Sequence, residues 1–325
     1  MTIVFLNRFK DWLNCLAFFA FPLLFILAVS TPTFANNAAG KDNSLEGQIR
    51  SSAELSKASY PKGLSDEEGN ALIGEFSRPS PPIKSVSVTS HLDGNESPIG
   101  CEAAERVQPG LVRIEVVKRA PKHSSAPDEI KTEGLGFLVF YRNDYYVITC
   151  FHVVGGGRTA EDVALIMTDG TRLKPLWTST RTGKSNEIKG ERFDVAVLKV
   201  AASDIAKCRG VKPVAMTNSD RISEEDVALY NIPAQKENLI PAQGNILTRN
   251  FPCFYANRYF EMIELGISVE LGCSGGPAFD ASGHVFGMVH SRGTEGSGAA
   301  KSYVLPINLV LRIAKELIDN ELMAS

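Results

Sequence analysis

The sequence lacks an excess of charge of either sign. Its 325 residues include 34 lysine and arginine residues against 37 aspartate and glutamate residues, a formal net charge of −3. Proteins that bind the nucleic-acid backbone concentrate basic residues on one surface or in one segment. We therefore expect no nucleic-acid partner, whereas the charge balance leaves other substrate classes open.

Long apolar runs are absent except for one near the start of the chain. Arg8 and Lys10 precede an apolar stretch over residues 16–29, and the small residues that follow form a signal-peptidase site. This pattern predicts a secretory signal peptide over 1–35 and export to the periplasm or the extracellular space. The alternative is an uncleaved membrane anchor, because the segment from Trp12 to Ser30 approaches the ~20 apolar residues that a spanning helix needs. Pro22 and the small residues favour cleavage, after which we expect no stable membrane partner.

The six cysteines include no Cys-x-x-Cys pair, which argues against a zinc ribbon. We expect neither a metal nor a cofactor. Removal of the signal peptide would take Cys15 with it and leave five cysteines: Cys101, Cys150, Cys208, Cys253 and Cys273. In an oxidising compartment this odd number predicts disulfide bonding with at least one thiol left free or bound to another chain.

The segment 36–98 is polar, rich in Ser, Asn, Lys and Glu, and has a proline cluster at 78–82. It shows no sustained apolar period, so we interpret it as a flexible leader. A propeptide is the functional alternative, and the composition does not distinguish the two.

The remaining chain predicts an all-β fold. Short runs rich in β-branched and aromatic residues recur at 111–117, 136–141, 145–150, 163–167, 195–200, 227–230, 260–265, 285–289 and 303–305. Turn signals such as Asp169-Gly170 separate them, as in a barrel or sandwich. After Pro306, apolar residues at helical spacing predict one C-terminal helix, which we interpret as a packing element.

A serine framed by glycines lies near the end of this region, in Gly272-Cys273-Ser274-Gly275-Gly276-Pro277. Glycines allow backbone amides to approach a reacting atom closely. An isolated Ser-Gly-Gly is also common in ordinary tight turns. The segment therefore becomes a candidate nucleophile only if the chain supplies partners for the hydroxyl.

Two candidate partners precede it. His152 follows the strand-like run Tyr145 to Cys150, and Asp194 opens the apolar run Asp194 to Val200. A serine hydroxyl needs a base to take its proton, and that base needs an acid that fixes its tautomer and stabilises the imidazolium. The chain supplies all three groups. His123 and His284 lie in loop-like or turn contexts and fit the role of the base less well.

With these motifs the chain resembles the chymotrypsin-like (trypsin-like) serine endopeptidases, whose triad runs in the order His, Asp, Ser. The segment from Thr149 to His152 is similar to the family's Thr-Ala-Ala-His, the run from Asp194 to its Asp-Ile-Ala-Leu-Leu, and Gly272 to Pro277 to its Gly-Asp-Ser-Gly-Gly-Pro. Gly134 to Phe137 resembles the Gly-Ser-Gly-Phe strand of bacterial Deg-type members.

The resemblance covers residues 99 to about 320. It implies two six-stranded antiparallel β-barrels, a chymotrypsin-like double barrel, followed by a C-terminal α-helix. We assign 99–325 to this peptidase domain, with the boundary between the barrels near 205–212. No C-terminal peptide-binding domain like that of many Deg-type members is expected.

The resemblance also implies the roles of individual residues. His152 would be the general base, Asp194 its orienting acid and Ser274 the nucleophile, with the amides of Gly272 and Ser274 as the oxyanion hole. The implied activity is hydrolysis of protein or peptide substrates through an acyl-enzyme. One alternative is a catalytically inactive binding protein that keeps the peptidase fold. A secreted esterase fits less well, because its Gly-x-Ser-x-Gly elbow belongs to the order Ser, Asp, His.

Two further residues bear on specificity by the same resemblance. Ser268 matches the floor of the specificity pocket and offers no carboxylate to attract Lys or Arg. His290 lies where the family builds the pocket wall, and in some glutamyl endopeptidases a histidine there receives an acidic side chain. The alternative for His290 is a partly buried histidine hydrogen-bonded near Asp194. We expect an acidic or a medium-sized apolar residue before the scissile bond.

The chain departs from the digestive enzymes at Cys273, where they usually have Asp, and it has no Ile-Val-Gly-Gly start. Activation by a newly freed N-terminus that binds this Asp is therefore not supported. Deg-type members also lack this pairing of a freed N-terminus with an Asp, and they commonly have Asn at the position of Cys273. The site must form in another way, and a thiol or disulfide beside the nucleophile could affect the oxyanion loop.

Overall fold

The computed structural model describes residues 65–76, 98–119, 129–155, 160–179, 193–231, 239–255, 258–293 and 301–324. The predicted signal peptide over 1–35 and most of the leader over 36–98 lie outside these residues, as do His123 and the side chain of Cys101. Among the described residues, no helix is long and apolar enough to cross a membrane.

Antiparallel strands dominate the described chain. The strands are β1 Leu111–Arg119, β2 Glu129–Tyr141, β3 Asp144–Thr149, β4 Ala160–Met167, β5 Arg172–Leu173, β6 Trp177–Thr178, β7 Ala196–Val200, β8 Val227–Asn231, β9 Ile240–Gly244, β10 Ile246–Tyr255, β11 Arg258–Leu265, β12 Pro277–Asp280, β13 Val285–Gly293 and β14 Lys301–Pro306. The helices are α1 Asp66–Phe76, α2 Pro98–Val107, α3 Phe151–Val154, α4 Ala202–Ile205 and α5 Ile307–Ala324, with a 3₁₀ turn at Gln108–Gly110.

These strands form two sheets. The first has the order β5-β4-β1-β2-β3-β7-β6 and the second has the order β10-β11-β14-β13-β12-β8-β9. The expected mostly β double-barrel architecture with a C-terminal helix is confirmed. Each sheet has seven strands within the described residues, rather than the six expected. The segment 201–226 connects the sheets, and the expected boundary near 205–212 falls within it.

Burial explains which strands the sequence revealed. In β3, five of the six residues are buried, so the run is apolar on both faces. β1 instead alternates buried Val112 and Ile114 with half-buried Arg113. All nine expected strands are present, but five others were missed: the short strands β5, β6 and β12, and the longer strands β9 and β10. Strands β9 and β10 are edge strands that contain a proline, Pro241 and Pro252, and proline is tolerated at an edge because it cannot donate to a ladder.

Helices close the structure on one side. α5 buries Val310, Leu311 and Ala314, which confirms the predicted C-terminal helix. α1 lies within the segment that we expected to be a flexible leader, and it is an ordered element instead. A reciprocal capping box starts it: Glu68 accepts from the Ser65 amide at 2.9 Å, and the Glu68 amide donates to Ser65 Oγ at 3.3 Å.

The α1 helix packs on the first sheet and on α5. The ring of Phe76 is fully buried and stacks on Tyr141 with 4.3 Å between the ring centroids. Lys315 of α5 pairs with Glu75 at 3.2 Å. The helix α1 has only 11 residues, and its few apolar residues are separated by acidic and small ones. It is therefore stabilised by its packing on the first sheet and on α5 rather than by its own composition.

Candidate active site

The predicted base and acid are in direct contact. His152 lies in α3, which begins where β3 ends, and Asp194 precedes β7, the neighbour of β3 in the sheet. His152 Nδ1 and Asp194 Oδ2 are 2.6 Å apart. The His152 amide donates to Asp194 Oδ1 at 2.8 Å, and the Phe151 amide donates to the Asp194 carbonyl at 3.1 Å. Three bonds therefore fix the acid against the start of α3.

Asp194 is an ionised carboxylate in a closed environment. Its side chain has no exposed surface, and its backbone adopts a left-handed conformation with φ of 55°. Burial by itself would raise the pKa of the Asp194 carboxyl, but hydrogen bonds from His152 and His290 outweigh burial and hold that pKa well below its usual range. A carboxylate can only accept, so it favours the proton on His152 Nδ1 and leaves Nε2 as the basic nitrogen.

The predicted nucleophile lies in the loop 266–276, between β11 and β12. Ser274 is half-buried, and its hydroxyl donates to the His290 carbonyl at 3.2 Å. Its own carbonyl accepts from the Leu135 amide of β2 at 2.9 Å. The Gly275 amide donates to the Val289 carbonyl at 2.7 Å. Backbone bonds to both sheets thus fix the peptide unit that follows the serine.

The two sheets meet at this loop. Thr149 Oγ1 at the end of β3 donates to the Leu135 carbonyl at 2.6 Å, and Cys150 Sγ donates to the Val289 carbonyl at 3.3 Å. A Cβ atom on Gly275 would lie 2.2 Å from Thr149 Oγ1, so the loop passes directly against the strand end that leads to His152. The structure thus brings the serine loop to the His–Asp pair, while the catalytic role of Ser274 stays a prediction.

The expected oxyanion groups lie beside the serine. Gly272 has φ of 99°, which favours glycine at this position. The amide between them, that of Cys273, donates to the Glu270 carbonyl at 3.4 Å. Within the described residues, the amides of Gly272 and Ser274 donate no hydrogen bond. Two donors at this loop are therefore open to a ligand, and their oxyanion role stays a prediction.

His290 contacts the acid rather than open solvent. Its side chain is 10% exposed, and its Nε2 lies 3.1 Å from Asp194 Oδ2. Its Nδ1 lies 3.1 Å from Ser291 Oγ, and its ring meets the His152 ring edge-on at 6.0 Å between centroids. This contact agrees with the alternative given for His290 above, a partly buried histidine near Asp194. Its role in the specificity pocket stays a prediction.

Ser268, the other expected pocket residue, has an exposed side chain in the loop 266–276. Its carbonyl accepts from Asn231 Nδ2 at 3.3 Å. Sequence reasoning missed Asn231 because it lies in no motif and 37 residues separate it from this partner. Cys150 was noted only as a cysteine, although it stands where the related motif has alanine.

Cys150, His152 and Asp194 form the one described group of side chains that could hold a metal ion, with ligand atoms within 4.8 Å of one another. Burial raises the pKa of the Cys150 thiol well above its usual value, and the neighbouring Asp194 carboxylate raises it further. A metal takes a thiolate, so this cysteine is a poor ligand. His152 Nδ1 and Asp194 Oδ2 are also bound to each other, and the donor set does not fit a metal well.

The four cysteines with described side chains, Cys150, Cys208, Cys253 and Cys273, are thiols. Cys15 and the side chain of Cys101 lie outside the described residues. The expected disulfide bonding therefore stays a prediction. Cys273 is buried beside the nucleophile, and its thiol donates to Asn231 Oδ1 at 3.3 Å.

Comparison with known proteins identifies relatives of this site and fold. Residues 134–288 match the family model of the trypsin-like peptidase domain. A probable periplasmic serine endoprotease DegP-like from Hahella chejuensis is 27% identical over 207 residues, which cover 61% of this chain and 38% of the relative. Protease Do-like 5, chloroplastic, from Arabidopsis thaliana is 25% identical, over 66% of this chain and 68% of the relative.

Solved structures agree with the fold. The HtrA-type protease AlgW with decapeptide superposes with a TM-score of 0.51 at 19% identity, over 67% of both chains. The chain spans well under half of the length of the Hahella relative, whereas it covers about two thirds of the Arabidopsis one. Residues 134–288 thus match a trypsin-like peptidase domain, and the chain is similar in sequence and in fold to Deg/HtrA-type serine proteases.

Proposed function

We propose that the chain is an exported serine endopeptidase that hydrolyses peptide bonds through His152, Asp194 and Ser274. The observation that carries the proposal is the 2.6 Å contact between His152 Nδ1 and the buried Asp194 carboxylate, beside a glycine-framed serine loop. A buried ionised acid that holds a 40% exposed imidazole by one nitrogen leaves the other nitrogen available to a hydroxyl.

The reaction follows from these groups. His152 Nε2 takes the proton of Ser274 Oγ as the oxygen bonds to the peptide carbonyl carbon. The carbonyl oxygen becomes an oxyanion, which the amides of Gly272 and Ser274 would bind. The imidazolium then gives its proton to the leaving amine as the C–N bond breaks, and an acyl-enzyme remains. Water, deprotonated by His152, attacks the acyl carbon and restores the serine.

Asp194 stabilises the imidazolium in both steps. Because the pKa of its carboxyl is held well below its usual range, it stays ionised while His152 gains and loses the proton. His290 contributes a second contact to Oδ2 of the same carboxylate, the oxygen that His152 Nδ1 also contacts.

The names of the relatives support the substrate class and the location. The relatives are named as endoproteases, several of them periplasmic, and solved AlgW structures are described with a decapeptide or a tripeptide. We propose protein or peptide substrates and an exported chain for this protein too. Ser268 has no carboxylate, so a Lys or Arg before the scissile bond is not favoured.

One observation favours a second candidate, a binding protein of the same fold without activity. The Ser274 hydroxyl donates to the main-chain carbonyl of His290 at 3.2 Å, and a hydroxyl held there would be a poor nucleophile. Rotation of this single side chain would release it.

Labelling with a fluorophosphonate, together with hydrolysis of casein, separates the two candidates. We expect labelling and hydrolysis by the full chain and loss of both in Ser274→Ala, with the thermal unfolding transition unchanged. Ser282→Ala is the matched control, because Ser282 is exposed in the turn between β12 and β13. A wild-type chain that neither labels nor hydrolyses, although folded, would establish the binding protein instead.

A further inference from the structure

In the digestive enzymes a freed N-terminus binds an Asp at the position of Cys273. This chain lacks that Asp, so other interactions must hold the residues of the loop 266–276 that precede Ser274. Eleven residues without regular secondary structure connect β11 to β12. Leu271, next to the candidate oxyanion residue Gly272, is 76% exposed. An exposed apolar side chain supplies little packing energy at this point. Val269 and Cys273 of the loop are buried in the core of the second sheet, so other contacts must fix the backbone between these two points.

The side chain of Asn231 makes three such contacts. Its Oδ1 accepts from the Glu270 amide at 2.9 Å and from Cys273 Sγ at 3.3 Å, and its Nδ2 donates to the Ser268 carbonyl at 3.3 Å. A carboxamide suits this geometry because one planar group offers an acceptor and a donor. Asn231 thus binds the loop at three residues, Ser268, Glu270 and Cys273, within a stretch of six.

Asn231 is itself placed by the sheet. It is the last residue of β8, which is paired on both sides, with β9 and with β12. The strand β12 begins directly after the loop. A side chain at this strand end therefore reaches back to the loop from a rigid base, which is what a positioning group requires.

Cys273 provides the inner attachment. It is 1% exposed and lies at the position where the digestive enzymes carry the Asp of their activation pair. A thiol is a weak donor and cannot form an ion pair. Its bond to Asn231 Oδ1 links the buried residue of the loop to the same side chain that holds the Glu270 amide and the Ser268 carbonyl.

The downstream part of the loop is attached separately. The carbonyl of Ser274 and the amide of Gly275 bond to Leu135 and Val289, without a contribution from Asn231. Loss of the Asn231 side chain would therefore leave the serine attached while it loosens residues 268–273. The oxyanion amides of Gly272 and Ser274 lie where these two parts meet.

We propose that Asn231 is a positioning residue that holds residues 268–273 in the conformation that presents the Gly272 and Ser274 amides to the oxyanion, so that the site forms without a freed N-terminus. This role rests on the proposed function. It identifies the side chain that holds the oxyanion loop in place. The oxyanion exists only in the transition state and the acyl-transfer intermediates. A loosened loop therefore lowers kcat more than it changes KM.

The test compares Asn231→Ala with the wild-type chain by steady-state kinetics on a peptide substrate. We expect kcat to fall about ten-fold, the size of one weakened oxyanion contact, with KM changed by less than about two-fold. Asn250→Ala is the matched control, because Asn250 is an exposed asparagine of the same sheet that makes no side-chain hydrogen bond within the described residues. A raised KM at unchanged kcat would make Asn231 a substrate contact and overturn the proposal.

Substitutions at Cys273 test the link itself. Cys273→Ser keeps a donor for Asn231 Oδ1 and is expected to retain more activity than Cys273→Ala. In the Asn231→Ala background the two Cys273 variants are expected to have equal activity, because the acceptor is gone. A difference between serine and alanine that persists in that background would show that Cys273 acts without Asn231.

Hydrogen–deuterium exchange gives a readout that does not depend on activity. In Asn231→Ala we expect faster exchange in peptides over residues 268–273, where the Glu270 amide loses its acceptor, and unchanged exchange in β12. Unchanged exchange over 268–273 would refute the positioning role of Asn231, even if the chain proves inactive. If the wild-type chain is active and Asn231→Ala has the same kcat, the positioning role of Asn231 is refuted while the proposed function stands.

Discussion

The acid–base half of the site and its nucleophile half are built by different means. His152 and Asp194 adjoin strands of the first sheet, and the ring and the amide of His152 both bond to the buried carboxylate of Asp194. Ser274 comes from a loop of the second sheet, which is fixed downstream by backbone bonds and upstream by the Asn231 side chain together with buried residues such as Val269 and Cys273. The first half is built around one buried charge, whereas the second combines apolar packing with polar contacts around glycines.

This difference shows where the two halves are vulnerable. A buried carboxylate with several partners keeps its position unless the fold itself is disturbed, because an unpaired charge there is very costly. A loop held by a few hydrogen bonds can lose its alignment while the rest of the fold stays intact. Loss of the Asn231 contacts should therefore act mainly on turnover, whereas loss of a partner of the buried carboxylate should affect both stability and turnover.

Substitution of Gly275 tests the contact between the two halves and has the largest expected effect. In Gly275→Ala the left-handed φ of 85° strains the backbone, and the new Cβ would lie 2.2 Å from the Leu135 carbonyl and from Thr149 Oγ1. We expect a loss of at least ~3 kcal/mol in the free energy of unfolding, together with loss of activity.

Gly170→Ala is the matched control for strain alone. Gly170 has a similar φ of 82° in an exposed turn, and a Cβ there meets nothing within 4 Å. Denaturant unfolding should show a loss of only ~1 kcal/mol and normal turnover. Equal losses in the two variants would mean that the sheets are not in close contact at Gly275.

Removal of His290 tests the second imidazole on the acid. In His290→Ala the Asp194 carboxylate loses a charge-assisted contact, and we expect kcat/KM to fall about thirty-fold, equivalent to ~2 kcal/mol. His290→Asn can still donate to the carboxylate and should recover part of the loss. His284→Ala, at an exposed histidine 3.7 Å from Asp280, should leave activity unchanged.

The same variants of His290 and His284 show whether His290 positions the Asp194 carboxylate or determines substrate specificity. If His290 instead serves as the pocket wall, His290→Ala changes the residue preferred before the scissile bond while turnover of the best substrate is retained. A peptide-library cleavage profile measures that preference.

Acid unfolding gives the smallest expected effect. The folded pKa of Asp194 lies below the unfolded value of ~3.9, so its contribution to stability is complete above that value and is lost as the pH falls towards the folded pKa. Between pH 4 and pH 2, the free energy of unfolding of Asp194→Asn should fall less steeply than that of the wild type, by at most ~1.4 kcal/mol per pH unit. Parallel curves from calorimetry would contradict this.

Local sequence patterns revealed the strands and the order of the chemical groups. His152 and Asp194 could be found because each adjoins a strand whose continuous apolar run is visible in the sequence. The exposed or proline-containing edge strands gave no such run. The helix α1 carried a capping box, but its stability comes from Tyr141 and α5, which are distant in sequence.

The partners that complete the site could not be predicted in the same way. The contact between His290 and Asp194 joins two sheets, and the bonds of Asn231 join residues 37 to 42 positions apart. Asparagine is common at strand ends and in turns, so its identity alone does not indicate a role. Only the tertiary arrangement turns these two residues into neighbours of the candidate triad.

The left-handed backbone at Asp194 has one more consequence. A non-glycine residue with φ of 55° is held there by its surroundings, and here its carbonyl and its carboxylate together bind two consecutive amides at the start of α3. Asp194 thus supplies acceptors from outside the helix, whose N-cap residue Cys150 makes no side-chain cap bond. Orientation of the proposed base and capping of its helix depend on one residue, so evolution of this position is constrained twice: any replacement must orient an imidazole and also cap a helix.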